Sequence, residues 1–151
     1  MLDNIKAIIF DWGKTLHDPT IDALFPGAAE VVRILHEKYT LALISLAVSE
    51  TSDVRRKKID ESGIAQYFKI ILVDTDNKDA MYERVIQDLG VSPPEVAVVD
   101  DRVVRGVAWG NHHGAATIWI QQGEFADELP DEHTGKPTYI IKDISELKNI
   151  L

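Results

Sequence analysis

The chain has 151 residues, of which 45% are hydrophobic, no cysteine, and a formal net charge of −9. This length suits a single domain with a proper core, and the lack of cysteine excludes disulfides, thiolate metal sites and cysteine nucleophiles. The acidic balance disfavours unspecific binding to nucleic acid or to anionic membranes. No apolar run approaches the ~20 residues of a membrane span, and the N-terminal segment does not resemble a signal peptide. We therefore expect a cytoplasmic protein without nucleic-acid or membrane partners.

Apolar runs of strand length alternate with segments of helical periodicity along the chain. In order, these patterns predict strand 5–10, helix 26–38, strand 40–46, helix 52–62, strand 69–73, helix 79–89, strand 95–99, helix 103–113, strand 116–120, a long loop over 121–137, strand 139–141 and helix 144–150. Strands that alternate with helices and are apolar throughout indicate a parallel sheet covered on both faces. We therefore predict an α/β fold, a three-layer doubly wound (Rossmann-like) parallel sheet, in one domain over residues 1–151.

Polar side chains stand where four of the predicted strands end. Asp11 follows the first strand and Ser45 lies near the end of the second, while Asp74 follows the third. Asp100 and Asp101 follow the fourth strand. In doubly wound sheets, ligands bind in the crevice beyond the carboxyl ends of the strands. These residues are therefore expected to meet in one crevice.

Several carboxylates in one crevice raise one another's pKa values, and a divalent cation relieves that cost. Oxygen ligands with few carboxylates suit Mg²⁺, which typically takes about one or two protein carboxylates plus substrate phosphate. A carboxylate can also attack phosphorus and form an aspartyl-phosphate. Lys78, at the start of the third helix, is the candidate to neutralise the phosphoryl oxygens. We interpret Asp74, Asp76 and Asp79 instead as turn and helix-cap residues.

The residues at these positions resemble the four motifs of the haloacid dehalogenase-like (HAD) hydrolases, in the right order. Residues 11–16, Asp-Trp-Gly-Lys-Thr-Leu, resemble the first motif, which is usually Asp-x-Asp-Gly-Thr-Leu. Residues 43–45 resemble the second motif, Lys78 the third, and Val98-Val99-Asp100-Asp101 the fourth. The resemblance covers nearly the whole chain and implies a HAD-like fold. A cap domain is not expected, because only ~30 residues, about one helix-and-strand unit, separate neighbouring motifs.

The resemblance implies a metal site and a nucleophile. Asp11 is the implied catalytic nucleophile and also a ligand of Mg²⁺. The backbone carbonyl of Gly13 is a second implied ligand, which needs no side chain. Asp101 is the implied direct carboxylate ligand from the fourth motif, with Asp100 behind it as a further residue of the metal site.

The resemblance also implies a phosphate-binding set. Ser45 and Lys78 hold the phosphoryl group, and Thr15 supports the loop after the nucleophile. The implied substrate is a phosphorylated small molecule or macromolecule. Without a cap, the site is either open or closed by a loop or by a partner in a homo-oligomer.

Two positions depart from the family's pattern. The second acid of the first motif usually acts as general acid and then as general base, and here it is Gly13. The further acid about five residues after Asp101 is replaced by Gly106. General acid–base help is typically worth about 10²–10⁴ in rate. Hydrolysis of an aspartyl-phosphate is therefore expected to be slow unless His17 or Asp18, just downstream, supplies the proton step.

Three hypotheses remain open. The first is a Mg²⁺-dependent phosphohydrolase with a weakened acid–base step. The second is a non-catalytic binding or scaffold protein that keeps the metal and phosphate pocket. The third is another HAD-type hydrolase or phosphotransferase, in which His17 or another group supplies the proton.

Four other features have simpler interpretations. The basic run at residues 55–58 is interpreted as a solvated helix face. His112 and His113 are neighbours and point apart on a helix, so they are interpreted as helix C-terminal residues rather than a metal pair. Trp12 is a candidate to line the site. The loop over 121–137 is either a lid or a poorly ordered connection.

Overall fold

The computed structural model describes residues 2–151. The strands are β1 (Ala7–Asp11), β2 (His17–Asp18), β3 (Ala23–Leu24), β4 (Thr40–Leu46), β5 (Ile70–Asp74), β6 (Val96–Asp100), β7 (Ala116–Ile120) and β8 (Tyr139–Ile141). The α-helices are α1 (Ala28–His36), α2 (Ser52–Asp60), α3 (Lys78–Leu89) and α4 (Ala108–His113). Six strands form one sheet in the order β5-β4-β1-β6-β7-β8, and every neighbouring pair is parallel.

Alternate residues of the central strands face two separate cores, as the pleat of a strand requires. Phe10 of β1 packs in the core that includes Val31 of α1. Ile9 faces the other way and packs in the core that includes Met81 of α3 and Trp109 of α4. Helices therefore cover both faces of the sheet, and the predicted three-layer, doubly wound α/β fold is confirmed. Between these elements, residues 2–151 carry no inserted cap domain.

Three strands run one residue further than their apolar pattern. Asp11, Asp74 and Asp100 are the last residues of β1, β5 and β6, because backbone pairing with the neighbouring strands continues past the apolar run. The helix ends agree with the predicted ends within about two residues, the ordinary uncertainty of a helix boundary.

The predicted helix 103–113 is not a continuous α-helix. Its first part, Val103–Val107, is a π-helical turn, and α4 begins only after it. The backbone N–H of Gly106 donates to Asp100 Oδ2 at 2.8 Å, so the start of this segment is tied to the end of β6. π-helical turns are rare and occur often at functional sites.

The predicted helix 144–150 is a 3₁₀ helix, Ile144–Asn149. The buried residues of this segment, Ile144 and Leu147, are three apart, which suits a helix of three residues per turn. The side chain of Asp143 accepts a hydrogen bond from the N–H of Ser145 and caps its start.

The sequence pattern does not predict a small hairpin that the structure contains. Strands β2 and β3 pair antiparallel, His17 with Leu24 and Asp18 with Ala23, and stand apart from the main sheet. Two-residue strands are too short to leave a periodic signal.

Among residues 2–151, no helix has both the length and the apolar character that a membrane span requires.

Candidate active site

Three carboxylates meet at the carboxyl edge of the sheet. Asp11 ends β1 and Asp100 ends the adjacent β6, and Asp101 follows directly. One oxygen from each lies within 4.8 Å of the others, and the three residues are 7%, 0% and 2% exposed. These carboxylates lie close together because neighbouring parallel strands end at the same edge of the sheet.

Lys78 lies between two of these carboxylates. Its Nζ donates to Asp11 Oδ1 at 2.9 Å and to Asp100 Oδ2 at 2.7 Å. Lys78 is the first residue of α3, whose N-terminus is capped by Asn77 through the N–H of Ala80. The cap thereby fixes where this buried ammonium group enters the site.

Thr15 connects the loop after Asp11 to Asp101. Its hydroxyl donates to Asp11 Oδ2 at 3.1 Å and accepts from the backbone N–H of Asp101 at 3.1 Å. Lys78 and Thr15 therefore hold one oxygen of Asp11 each. The loop reaches this position through a left-handed residue, Lys14, with φ of 64°.

Charge in the cluster is unbalanced, since three buried carboxylates face one lysine. Burial raises the pKa of Asp11, and the neighbouring Asp100 raises it further, while Lys78 acts against both. For Asp100, burial opposes ionisation, but the charge and hydrogen bond of Lys78, together with the hydrogen bonds from the N–H of Arg102 and from Asp101, lower the pKa. Burial, Asp11 and Asp100 together raise the pKa of Asp101 to about 9.

One oxygen of the cluster has no partner. Asp101 Oδ2 is buried and lacks a hydrogen bond in the described chain. A buried carboxylate oxygen without a donor is costly, and a cation bound between Asp11 and Asp101 would remove that cost. The all-oxygen donor set is the kind that Mg²⁺ prefers. The cluster therefore fits a divalent cation.

Ser45 and Arg55 belong to one network. Ser45 is fully buried near the end of β4, and Arg55 Nη1 donates to its hydroxyl at 2.6 Å. Glu50 accepts from Arg55 at 2.6 Å and from Lys58 at 2.7 Å. Arg55 and Lys58 line the cavity above the carboxylates, whereas Ser45 lies behind this wall.

The basic run is therefore only partly a solvated face, and that interpretation was wrong for two of its residues. Arg55 and Lys58, three apart, point to the site, while Arg56 and Lys57 pair along α2 with residues four further on. The i, i+3 spacing was the available signal, because residues three apart share one side of a helix.

His17 lines the cavity from the small hairpin. Its Nε2–H donates to Asp22 Oδ1 at 2.9 Å, and its ring stacks on Trp12 at 5.1 Å between centroids. Gly13, where the usual acid is missing, forms a bridge with His17 through the backbone. Asp18, the other candidate, accepts hydrogen bonds from Thr20 and is absent from the cavity wall.

The loop over 121–137 forms a wall of the site and is held in place. Phe125 from this loop lines the cavity. Glu128 accepts from Arg102 Nε at 3.0 Å and from the N–H of Val104 at 3.0 Å. Gln122 donates to the carbonyl of Lys14 at 2.8 Å. These contacts attach the loop to the residues around the carboxylate cluster.

Other acids and histidines lie outside the site. Asp74 accepts from the backbone N–H groups of Thr75 and Asn77, as expected for a turn residue. His113 Nδ1 donates to the carbonyl of Trp109, and His112 Nε2 donates to a loop carbonyl, so the two rings form no metal pair.

The resulting cavity has a volume of about 730 Å³. Pockets of this size hold small organic ligands. Trp12 lies on its wall although the residue is almost fully buried. The arrangement combines a buried nucleophile candidate, a carboxylate cluster that fits a divalent cation, and a rim of basic side chains.

Sequence comparison matches this chain to a known family and to a characterised relative. The profile of the family described as HAD-hydrolase-like matches residues 69–147. A mitochondrial phosphatidylglycerophosphatase from Saccharomyces cerevisiae, GEP4, is 26% identical over 133 residues, which cover 80% of this chain and 69% of that protein.

Two solved structures illustrate the similarity of fold. A haloacid dehalogenase-like hydrolase from Streptococcus pneumoniae superposes with a TM-score of 0.80 at 13% identity, covering 97% of this chain and 98% of that one. The HAD-hydrolase YfnB from Bacillus subtilis, described as bound to magnesium, gives a TM-score of 0.72 at 24% identity, covering 86% of this chain and 57% of that one.

Proposed function

The chain belongs to the HAD-like hydrolase family, and from that premise we propose that it is a Mg²⁺-dependent phosphohydrolase acting through an aspartyl-phosphate on Asp11. The observation that carries the proposal is the buried carboxylate cluster in which Lys78 contacts Asp11 and Asp100. A phosphatase among the relatives supports the same reaction class. The proposed substrate is a phosphorylated small molecule or macromolecule. Substrates of both sizes can reach the cavity, because no cap domain covers it.

The metal would be held by Asp11, Asp101 and the backbone carbonyl of Gly13, with Asp100 beside them. The unpartnered Oδ2 of Asp101 supports this assignment. When bound, Mg²⁺ would supply positive charge that keeps the carboxylates ionised and offsets charge on the phosphoryl oxygens. Lys78 adds a second positive charge, and Arg55, which is hydrogen-bonded to Ser45 behind it, forms the neighbouring wall.

Asp11 is the nucleophile in the proposed reaction. One of its carboxylate oxygens attacks phosphorus, the bond from phosphorus to the leaving oxygen breaks, and that oxygen takes up a proton. Water then attacks phosphorus, loses a proton, and releases inorganic phosphate and the free Asp11 carboxylate. Thr15 and Lys78 fix the orientation of this carboxylate, and positioning of this kind accounts for much of phosphoryl-transfer catalysis.

We propose that His17 replaces the acid that is missing at position 13. It lies on the cavity wall, its Nε2 is bonded to Asp22, and its Nδ1 has no partner in the described chain. A histidine oriented by a carboxylate is a common proton-transfer group. This observation favours the third hypothesis over the non-catalytic one.

The decisive experiment measures the intact mass of the protein after incubation with Mg²⁺ and acetyl phosphate. We expect a phosphate-sized adduct, or free phosphate in excess of the protein, from the wild type and neither from Asp11→Asn. The matched control is Asp76→Asn, which removes an exposed carboxylate from the same edge of the sheet. Neither adduct nor phosphate from the wild type would overturn the proposal and favour a binding protein.

The role of His17 is tested by the lifetime of that adduct. His17→Gln is expected to lengthen it by about 10²-fold or more, since proton transfer is typically worth 10²–10⁴ in rate. Asp22→Asn is expected to lengthen it less, because Asp22 acts only through the ring. An unchanged lifetime in His17→Gln would remove His17 from the mechanism while leaving Asp11 in it.

A further inference from the structure

We propose that the cavity binds a phosphomonoester whose organic part carries a second anionic group, and that Arg105 binds this second group. The inference rests on the proposed function, because it places the phosphoryl group at Asp11. It concerns the part of the cavity beyond the carboxylate cluster. The observations that carry it are the partners of the charged side chains, the rigidity of the Arg105 backbone and the size of the cavity.

Six cationic side chains line the cavity. They are Lys14, Arg55, Lys58, Lys78, Arg102 and Arg105. Five of them have a carboxylate partner: Glu124 for Lys14, Glu50 for Arg55 and Lys58, Asp11 and Asp100 for Lys78, and Glu128 for Arg102. Within residues 2–151, Arg105 forms neither an ion pair nor a hydrogen bond through its side chain.

Two carboxylates of the neighbouring loop already have cationic partners. Glu128 accepts hydrogen bonds from Arg102 and from the N–H of Val104, and Glu124 pairs with Lys14. Phe125, on the same wall, carries Arg102 over its ring at 3.7 Å. Arg105 is half-buried and has no anionic partner among the described residues, although the protein carries a net charge of −9.

The backbone around Arg105 is fixed. Val103 and Val107 are fully buried and pack with Trp119. Gly106 N–H donates to Asp100, and Val104 N–H donates to Glu128. Arg105 therefore projects from a tethered π-helical turn, so only its side chain needs to be ordered by a ligand.

The cavity is larger than a phosphoryl group needs. Its volume of about 730 Å³ leaves room for an organic part attached to the phosphate. Arg105 follows β6, on the opposite side of β1 from Arg55 and Lys58, which follow β4. A substrate with its phosphoryl group at Asp11 therefore meets the unpaired cation on the β6 side.

The chemistry of Arg105 defines the class of the second group. A guanidinium offers a planar fork of donors that fits the paired oxygens of a carboxylate or a phosphate. The preferred substrates are therefore phosphomonoesters with a carboxylate or a second phosphate. Sugar or glycerol phosphates with only hydroxyl groups leave Arg105 unpaired and bind less tightly.

The test compares matched substrates that differ in the second anionic group. The pairs are 3-phosphoglycerate with glycerol 3-phosphate, and fructose 1,6-bisphosphate with fructose 6-phosphate. We expect the wild type with Mg²⁺ to favour the first member of at least one pair by about tenfold or more in kcat/KM, mainly through KM, as for a charged hydrogen-bonded contact. The pair that shows the preference identifies a carboxylate or a phosphate as the second group.

The variants then assign the preference to Arg105. Arg105→Gln is expected to reduce it by about tenfold, and Arg105→Lys to retain part of it. Lys58→Gln is the matched control, because it removes the same charge from the β4 side of the same cavity, where Glu50 already binds it. A wild type without preference, or a preference that survives in Arg105→Gln, overturns the inference.

Binding to Asp11→Asn separates this inference from the proposed function. Calorimetry with the same four compounds measures the preference without turnover. A preference that is present in Asp11→Asn and lost in the double variant Asp11→Asn with Arg105→Gln supports the inference even if the wild type hydrolyses nothing. Equal binding of both members of each pair overturns it.

Discussion

Gly13 and Gly106 stand where the family's motifs carry acids, yet their surroundings are opposite. A Cβ built on Gly13 meets no atom within 4 Å. A Cβ built on Gly106 would lie 2.4 Å from Asp100 Oδ2 and 2.5 Å from the hydroxyl of Tyr82. A side chain therefore fits at the first position and is excluded at the second.

The open space at Gly13 leads to the first prediction. Gly13→Asp puts a proton-transfer group next to Asp11, so in the His17→Gln background, which lacks the proposed replacement, we expect the lifetime of the aspartyl-phosphate to fall by about 10²–10⁴-fold. The measurement is the decay of the adduct mass after removal of acetyl phosphate. Gly13→Asn has the same shape and cannot move the proton, so an equal effect of Asn would contradict the explanation.

The closed space at Gly106 leads to the second prediction. Gly106→Ala forces a methyl group against Asp100 and Tyr82, and we expect it to lower the free energy of unfolding by about 1–3 kcal/mol, the usual cost of overpacking. Denaturant unfolding measures the loss. Gly13→Ala is the matched control, and a loss of similar size there would show that glycine itself, rather than the lack of space, is responsible.

At the level of elements, a capped turn ties the start of β6 to the start of β1. Glu95 accepts from the N–H and hydroxyl of Ser92 at 3.0 Å and pairs with Lys6 at 2.5 Å. The hydrogen bond from Lys6 and those from Ser92 lower the pKa of Glu95 from 4.5 to about 2. The ionised form is thus favoured in the folded protein.

This shift sets the direction of the third prediction. Because the folded pKa is depressed, the contribution of Glu95 to stability is complete above pH 4.5 and disappears as the pH falls through about 2. We expect the difference in free energy of unfolding between wild type and Glu95→Gln to shrink over that window. Urea unfolding at several pH values measures it, and a difference that stays constant would contradict the assignment.

The elements with strong patterns were predictable from the sequence and those that depend on distant contacts were not. The buried strands and α3 leave apolar runs and a stop glycine at Gly90, so the sheet and its helices followed from local rules. The π-helical turn depends on a bond from Gly106 to Asp100, and β2 is two residues long. Neither leaves a local signal.

In the candidate site, too, some residues were predictable from the sequence and others were not. Asp11, Lys78 and Asp101 stand at strand or helix ends, where topology brings side chains together, and the structure places them in one site. Arg55 and Arg105 look like ordinary surface charges in the sequence. Their position on the cavity wall depends on which side of a helix or turn faces the strand ends, and charge pattern alone does not determine that.

On the scale of the whole molecule, the two cores lie on opposite faces of one sheet and share every central strand. We therefore predict that the chain unfolds as a single domain in one cooperative transition. Far- and near-ultraviolet circular dichroism should give coincident unfolding curves. Two separated transitions would mean that part of the chain folds independently.

A cation at the carboxylate cluster should stabilise this single unit. It binds only the folded arrangement of Asp11 and Asp101, so Mg²⁺ is expected to add about 2.7 kcal/mol at a hundredfold excess over its Kd. Thermal unfolding with Mg²⁺ and with a chelator measures the shift. Asp101→Asn is expected to lose most of it and Asp76→Asn to keep it, and equal shifts in both variants would place the cation elsewhere.

The unequal surroundings of Gly13 and Gly106 also bear on how this chain can evolve. Changing the second base of a glycine codon from G to A gives an aspartate or a glutamate codon, so both positions are one mutation away from an acid. Only at Gly13 does that mutation meet free space; at Gly106 it collides with the carboxylate that Lys78 holds. Under selection for faster phosphate release, the acid at position 13 is readily regained, whereas the one at position 106 is barred until Asp100 and Tyr82 have been replaced.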